Sequence, residues 1–208
     1  MKKILSLILF VIIIVVGSAA IFQKCNKSNP EDILSDFKEI EAYTTDVTYI
    51  IKNARGEITV KTSQWYDEDK GLKVDFGQDR SQVYKEDKIY VKEITTGRTY
   101  NMEKDFDQLY KLAFIPEISK LFVNDEEFRY YYKENSDNKY LVVEFNTLLD
   151  NENLTKEVLF IDTKNGVPLE GIIYDKRGNE RAKILYSNFK KEHNIDEELF
   201  DIAKDTQQ

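Results

Sequence analysis

One histidine, His193, and one cysteine, Cys25, bound the catalytic chemistry open to this 208-residue chain. A Ser-His-Asp or Cys-His device would have to use His193. That residue stands in a polar stretch near the C-terminus, which suits a solvent-exposed side chain better than a buried base. No serine sits in a Gly-x-Ser-x-Gly turn. Zinc sites draw on His and Cys together, and one of each at opposite ends of the chain makes no donor set. Asp67-Glu68-Asp69-Lys70-Gly71 has the outline of a calcium loop. It lacks the third ligand before its glycine and an acid at the closing position, so it reads as an acidic hairpin turn. With 38 acidic residues, some pair in any fold will stand at glycosidase separation, so that criterion selects nothing. No glycine-rich loop offers a phosphate cradle. The expectation is a binding protein with no catalytic residue, metal or cofactor.

The aromatic residues are the better candidates for function. Phe128, Tyr130 and Tyr132 share one face of an expected strand, with Arg129, Tyr131 and Lys133 on the other. Trp65, Tyr66, Tyr84, Tyr90 and Tyr100 add to the set. Tyrosine joins a large apolar body to a polar tip, which suits binding surfaces, although aromatics favour strands in any case. Along Tyr130-Tyr131-Tyr132 the two faces cannot both be buried cheaply. Phe128, Tyr130, Tyr131, Tyr132, Trp65 and Tyr90 are therefore the expected partner-binding residues.

The elements that must position these residues begin after a leader. Lys2 and Lys3 precede an unbroken apolar run from Ile4 to Phe22, the layout of a secretory signal or an N-terminal anchor. Ser18 and Ala20 offer small residues for cleavage. Uncut, about 19 apolar residues would just span a bilayer core of ~30 Å. Either way the basic start orients the domain outward, so residues 1–24 are expected as signal or anchor, 25–29 as spacer and 30–208 as one domain. Cys25 excludes an internal disulfide. Its place after the apolar run suggests lipid attachment, but Phe22-Gln23-Lys24 lacks the small residues a lipidation signal needs. The net charge of −8 argues against nucleic acid as partner and against broad docking on anionic lipid.

Asn29, Pro30, Glu31 and Asp32 start a helix by cap, first-turn proline and dipole. Ile33, Phe37 and Ile40 recur at its spacing, and it should fade near Tyr43. The period then changes to 2. Val47, Tyr49 and Ile51 open a run of short strands: Ile58 to Tyr66, Leu72 to Phe76, Ser81 to Tyr84, Ile89 to Ile94 and Arg98 to Asn101. Phe106, Leu109, Tyr110 and Ala113 suit a helix that Pro116 interrupts, and Ile118, Leu121 and Phe122 restart one. A second strand set follows: Phe128 to Lys133, Tyr140 to Phe145, Thr155 to Asp162, Leu169 to Tyr174 and Glu180 to Phe189, with turns at Asn165-Gly166 and Arg177-Gly178. Val158 and Phe160 alternate with Leu159 and Ile161, so both faces of this sheet need cover. The fold class is mainly β with helices (α+β), a curved antiparallel sheet or unclosed barrel with a helical lid. Long hairpins in such a meander could exchange between chains to form a dimer.

The order of these elements resembles the LolA-like proteins, whose unclosed antiparallel β-barrel, lidded by helices, holds lipid chains or partner peptides. The resemblance rests on the opening helix, the hairpin reaching Gln64-Trp65-Tyr66, and the hairpin of Lys85 to Val91. It rests further on the insertion from Asp105 to Phe122 and on the closing Ile184 to Phe189 and Ile195 to Phe200. It implies a lid and latch drawn from Lys70, Phe106, Leu109 and Ala113. Within the group the chain is similar to the GerS-type germination lipoproteins of clostridial spore formers. That similarity implies an exported accessory protein outside the membrane, in a spore former between mother-cell and forespore membranes, licensing an N-acetylmuramoyl-L-alanine amidase. Lipoprotein carriers have Arg-Pro where this chain has Asp69-Lys70-Gly71, which favours a fixed binding role. The alternative is a carrier holding a lipid acyl chain in the half-barrel.

Overall fold

The computed structural model describes residues 29–124, 128–134 and 138–206; the leader and Cys25 lie outside them. The first helix, α1 (Pro30–Lys38), opens as expected: the Asn29 side chain accepts from the Glu31 N–H at 3.2 Å, and Pro30 takes the first turn. It buries Ile33, Leu34 and Phe37. It stops at Lys38 rather than near Tyr43, because the chain enters the sheet at Ala42 and Tyr43 becomes a paired, fully buried strand residue.

Eleven antiparallel strands follow, and each expected strand is found. They are β1 (Ala42–Asn53), β2 (Gly56–Asp67), β3 (Gly71–Asp75), β4 (Arg80–Lys85), β5 (Lys88–Glu93) and β6 (Thr99–Glu103). After the helical insertion come β7 (Arg129–Glu134), β8 (Lys139–Asn146), β9 (Lys156–Asp162), β10 (Val167–Tyr174) and β11 (Glu180–Lys191). The hairpin turns use Gly166 and Gly178 at positive φ, where a side chain would meet its own backbone. The spatial order is β6-β5-β4-β3-β2-β1-β11-β10-β9-β8-β7. Two sequential meanders thus join along one seam, β1 against β11. The sheet is open, with free edges at β6 and β7, as expected of an unclosed barrel.

Opposed residues share a face, so the register assigns the two sides. Tyr43, Val47 and Tyr49 face inward with Val74, Tyr84, Ile89, Val91, Leu141, Val143, Phe145, Leu159, Ile161, Ile173 and Ile184. The helical insertion covers this concave side. It consists of a 3-10 turn (Lys104–Asp107), α2 (Gln108–Lys111) and α3 (Ile115–Asn124). Phe114, Ile115, Ile118 and Phe122 are buried there, each worth roughly 1.5–3 kcal/mol of apolar transfer. Pro116 occupies the first turn of α3, where its missing N–H costs nothing, and the break falls at Leu112–Phe114. On the convex side, a C-terminal 3-10 helix (Glu197–Thr206) packs Ile195 and Phe200 onto Ala42, Val83 and Trp65. Both faces are therefore covered over the first meander. Over the second, the outward Val158 and Phe160 that were expected to need cover are half-buried.

Candidate functional site

An aromatic ladder runs from beneath the lid to the β7 edge. Phe37 stacks on Phe122 at 5.6 Å, Phe122 contacts Phe145 at 5.4 Å and Phe128 at 5.2 Å, and Phe128 meets Tyr130 at 5.8 Å. Such offset and tilted contacts follow from the ring quadrupoles. Tyr130 opposes Val143 and Tyr132 opposes Leu141, which puts both on the concave side. Tyr131 lies on the convex side, where its hydroxyl donates to Glu144 Oε1 at 3.1 Å. Burial first, then the Glu144 hydrogen bond, raises the Tyr131 pKa. The ammonium of Lys139 sits 4.0 Å from the Tyr132 ring centre. Tyr130 is 40 % exposed and Tyr131 48 %, so the terminal strand presents two large rings to solvent beside an unpaired sheet edge. The run that sequence singled out is thus an edge surface anchored in the core.

Trp65 and Tyr90 are not part of it. Both lie on the convex face of the first meander, with Trp65 opposite Thr44 and Lys73, and Tyr90 opposite Val83. The expected site divides into two surfaces on opposite halves of the sheet.

The lid is held by tyrosine hydroxyls from the concave face. Tyr84 donates to Asp107 Oδ2 at 2.7 Å, Tyr49 to the Tyr110 carbonyl at 3.4 Å, and Tyr186 to the Ala113 carbonyl at 3.2 Å. Gln64 Nε2 in turn donates to the Tyr49 hydroxyl at 3.0 Å. Tyr110 packs edge-on against Tyr49 and Phe76, and Phe114 against Tyr84. Burial drives the pKa values of Tyr49, Tyr84 and Tyr186 upward. Sequence reasoning named Tyr84 only as a member of an aromatic set. The signal for a latch was the coincidence of three tyrosines on inward strand positions.

Among the expected lid residues, Ala113 is fully buried and Leu109 packs on the core. Phe106 does not face inward: it is 77 % exposed, because the insertion opens with a 3-10 turn that points it outward. Lys70 latches the C-terminal segment instead of the lid. Its ammonium bonds Asp67 Oδ2 at 2.8 Å, the Ile195 carbonyl at 2.7 Å and Asn194 Oδ1, while the Ile195 N–H donates to Asp67 at 3.1 Å. Burial of the Asp67 carboxyl opposes ionisation, yet Lys70 and the Ile195 N–H outweigh it and its pKa is lowered. His193 is exposed. Among the described residues no group of three or more His, Cys, Asp or Glu could hold a metal ion, and no helix is long and apolar enough to cross a membrane.

One residue that sequence reasoning passed over is Glu157. It is fully buried among Leu159, Phe145 and Ile173, and neither carboxylate oxygen has a hydrogen-bond partner among the described residues. Burial alone raises its pKa well above the carboxylate range. Gly171 makes room for it, since a Cβ there would stand 2.7 Å from Oε1.

An open antiparallel sheet holding a helical lid on its concave face makes a half-barrel, a fold consistent with that of the LolA-like proteins. The chain belongs to the sporulation protein YdcC-like family, which matches residues 1–200. No curated protein matches it. Among solved structures, an uncharacterized conserved protein from Thermus thermophilus is similar, with TM-score 0.55 and 11% identity over 82% of this chain and 93% of that one. That likeness shows a shared fold. A LolA superfamily protein from Nitrosomonas europaea matches with TM-score 0.44 and 12% identity, over 82% of this chain and 96% of that one. The structure of the CwlD amidase from Clostridioides difficile in complex with the GerS lipoprotein matches with TM-score 0.46 and 19% identity, over 80% of this chain and 98% of that one.

Proposed function

We propose that this protein is a non-catalytic, exported accessory factor of sporulation that binds and licenses a cell-wall amidase through its β7 edge. The carrying observation is the pair of exposed rings, Tyr130 and Tyr131, on a terminal strand whose outer edge pairs with no other strand among the described residues. Partially exposed tyrosines beside a free edge suit a protein partner. Sporulation as the setting comes from the family. The amidase as partner class comes from the resemblance to GerS-type lipoproteins, and the leader, with Cys25 as a less suited attachment point, would hold the domain outside the membrane. Lipid carriage is less well supported, because Phe114, Ile115, Ile118 and Phe122 fill the concave side where an acyl chain would lie.

The test is capture from sporulating-cell extracts on the full-length chain in mild detergent, beside the Tyr130→Ala/Tyr131→Ala double variant. Amidase recovered by the wild type and lost by the variant supports the reading. Recovery of lipid or lipoprotein with no amidase would replace it with the carrier function.

A further inference from the structure

We propose that the convex face at the β1–β11 seam is a second binding site, one that takes a saccharide chain. The seam carries a bulge: the register of β1 on β11 slips between Thr44 and Asp46. Opposite it, Asn188 stands at φ +54°, a left-handed conformation that asparagine tolerates better than most non-glycine residues. Bulges and such backbone outliers re-aim side chains and gather at functional sites. Here the result is a polar constellation on an otherwise regular face. Asn188 Nδ2 donates to Asp46 Oδ2 at 2.8 Å, and Ser63 Oγ to Asp46 Oδ1 at 2.7 Å. Those two hydrogen bonds lower the Asp46 pKa, so an ionised acceptor with further lone pairs faces solvent.

Two adjoining clefts share this wall. One of about 330 Å³ is lined by Thr44, Asp46, Ser63, Trp65, Asn188 and Lys190. The other, about 540 Å³, includes Asp46, Ser63 and Trp65 with Asp75, Lys61 and Gly77. Both volumes fall in the range of small-ligand pockets. Trp65 borders each cleft; its half-buried indole packs against Ile195 and Phe200, and the Lys73 ammonium, 5.4 Å from its ring centre, shares the ring with any ligand.

The lining selects the ligand chemistry. Asp46 and Asp75 disfavour an anion, while Lys61 and Lys190 beside them disfavour a simple cation. A hydrocarbon would desolvate Asp46, Ser63 and Asn188 without repaying their hydrogen bonds. A pyranose meets every demand. Its C–H face suits the negative face of an indole, and its ring of hydroxyls offers donors to Asp46 and to the Ser63 oxygen, and an acceptor to the second amide hydrogen of Asn188. Two contiguous clefts around one indole fit consecutive sugar units of a chain. The site lies apart from the β7 edge, so its failure would leave the amidase reading untouched.

Trp65 is the only tryptophan, so intrinsic fluorescence reports on this site alone. The experiment titrates the full-length chain in mild detergent with an N-acetylglucosamine hexamer, with a glucose hexamer run beside it to tell amino-sugar from plain glucan recognition. A saturable change in Trp65 emission is expected with at least one of them. Asn188→Gly keeps the left-handed backbone and removes the amide, so it tests the site without threatening the fold. It should weaken binding about tenfold, equivalent to about 1.4 kcal/mol, and Asp46→Ala should do the same or more. No saturable response to either saccharide, or equal affinity in wild type and both variants, overturns the proposal.

Discussion

Replacing Glu157 by glutamine should stabilise this protein at neutral pH and do almost nothing in mild acid. In the folded chain the carboxyl is fully buried without a partner and its pKa is raised by burial. In the unfolded chain it titrates near ~4.3. Between those values the folded state holds one proton more than the unfolded state, so stability falls as pH rises. Below the unfolded value both states are protonated and the group costs no ionisation energy. Above it, each pH unit over which the buried carboxyl keeps its proton removes about 1.36 kcal/mol. Glutamine has nearly the same shape and a neutral amide at every pH, so its burial cost does not vary. Denaturant unfolding followed by Trp65 fluorescence at pH 4, 5, 6 and 7 reads both curves. Wild type should lose stability steadily across this range relative to Glu157→Gln, the gap reaching about 2–4 kcal/mol at pH 7. A gap independent of pH, or a variant less stable than wild type at pH 7, would refute a neutral, unpartnered Glu157.

Other expectations follow from the same packing. Gly171→Ala should cost about 1–3 kcal/mol, because its Cβ would stand 2.7 Å from Glu157 Oε1. In a Glu157→Ala background most of that loss should vanish, and a double-mutant cycle measures the coupling. Tyr186→Phe removes the donor to the Ala113 carbonyl and should cost about 1 kcal/mol, with faster hydrogen exchange along Leu112–Ile115 as the readout. Lys70→Met should weaken the C-terminal segment by about 1–3 kcal/mol. Since Asp67 has a lowered folded pKa, that contribution is present above its unfolded value and fades as pH falls through the folded one. Thermal melts from pH 3 to 7 should show wild type and variant converging in acid.

Much of the architecture was readable because the period-2 strands and their turn residues agree. Val47, Tyr49 and Ile51 mark an inward face directly, and Gly166 and Gly178 place hairpins by a backbone requirement. The first helix was read too long because Ile40 continues its spacing, while the pairing that claims Ala42 and Tyr43 for the sheet involves β2 and β11, far along the chain. Phe106 keeps helical spacing with Leu109, yet a 3-10 start rotates it into solvent. Lys70 was expected to hold the lid, but its partner Ile195 is 125 residues away, a distance over which one sequence carries no pairing signal. Glu157 was legible in principle, since it falls in step with Leu159 and Ile161 on a strand whose inward positions are otherwise apolar. The Asp46–Asn188 constellation was not, because a bulge is a register defect between two strands and neither strand alone records it.

The seam between the two meanders governs how the chain can fold. Within each meander, neighbouring strands pair soon after they are made. The seam instead joins residues such as Asp46 and Asn188, 142 positions apart. Closing so long a loop costs entropy before any contact repays it, and topologies rich in such pairings fold slowly. For a chain made from its N-terminus, β1 would emerge early with one side unpaired. It would stay a sticky half-sheet edge until β11, nearly the last element, arrived to close it. That interval is when a chaperone, or a wrong strand, would compete for the same edge.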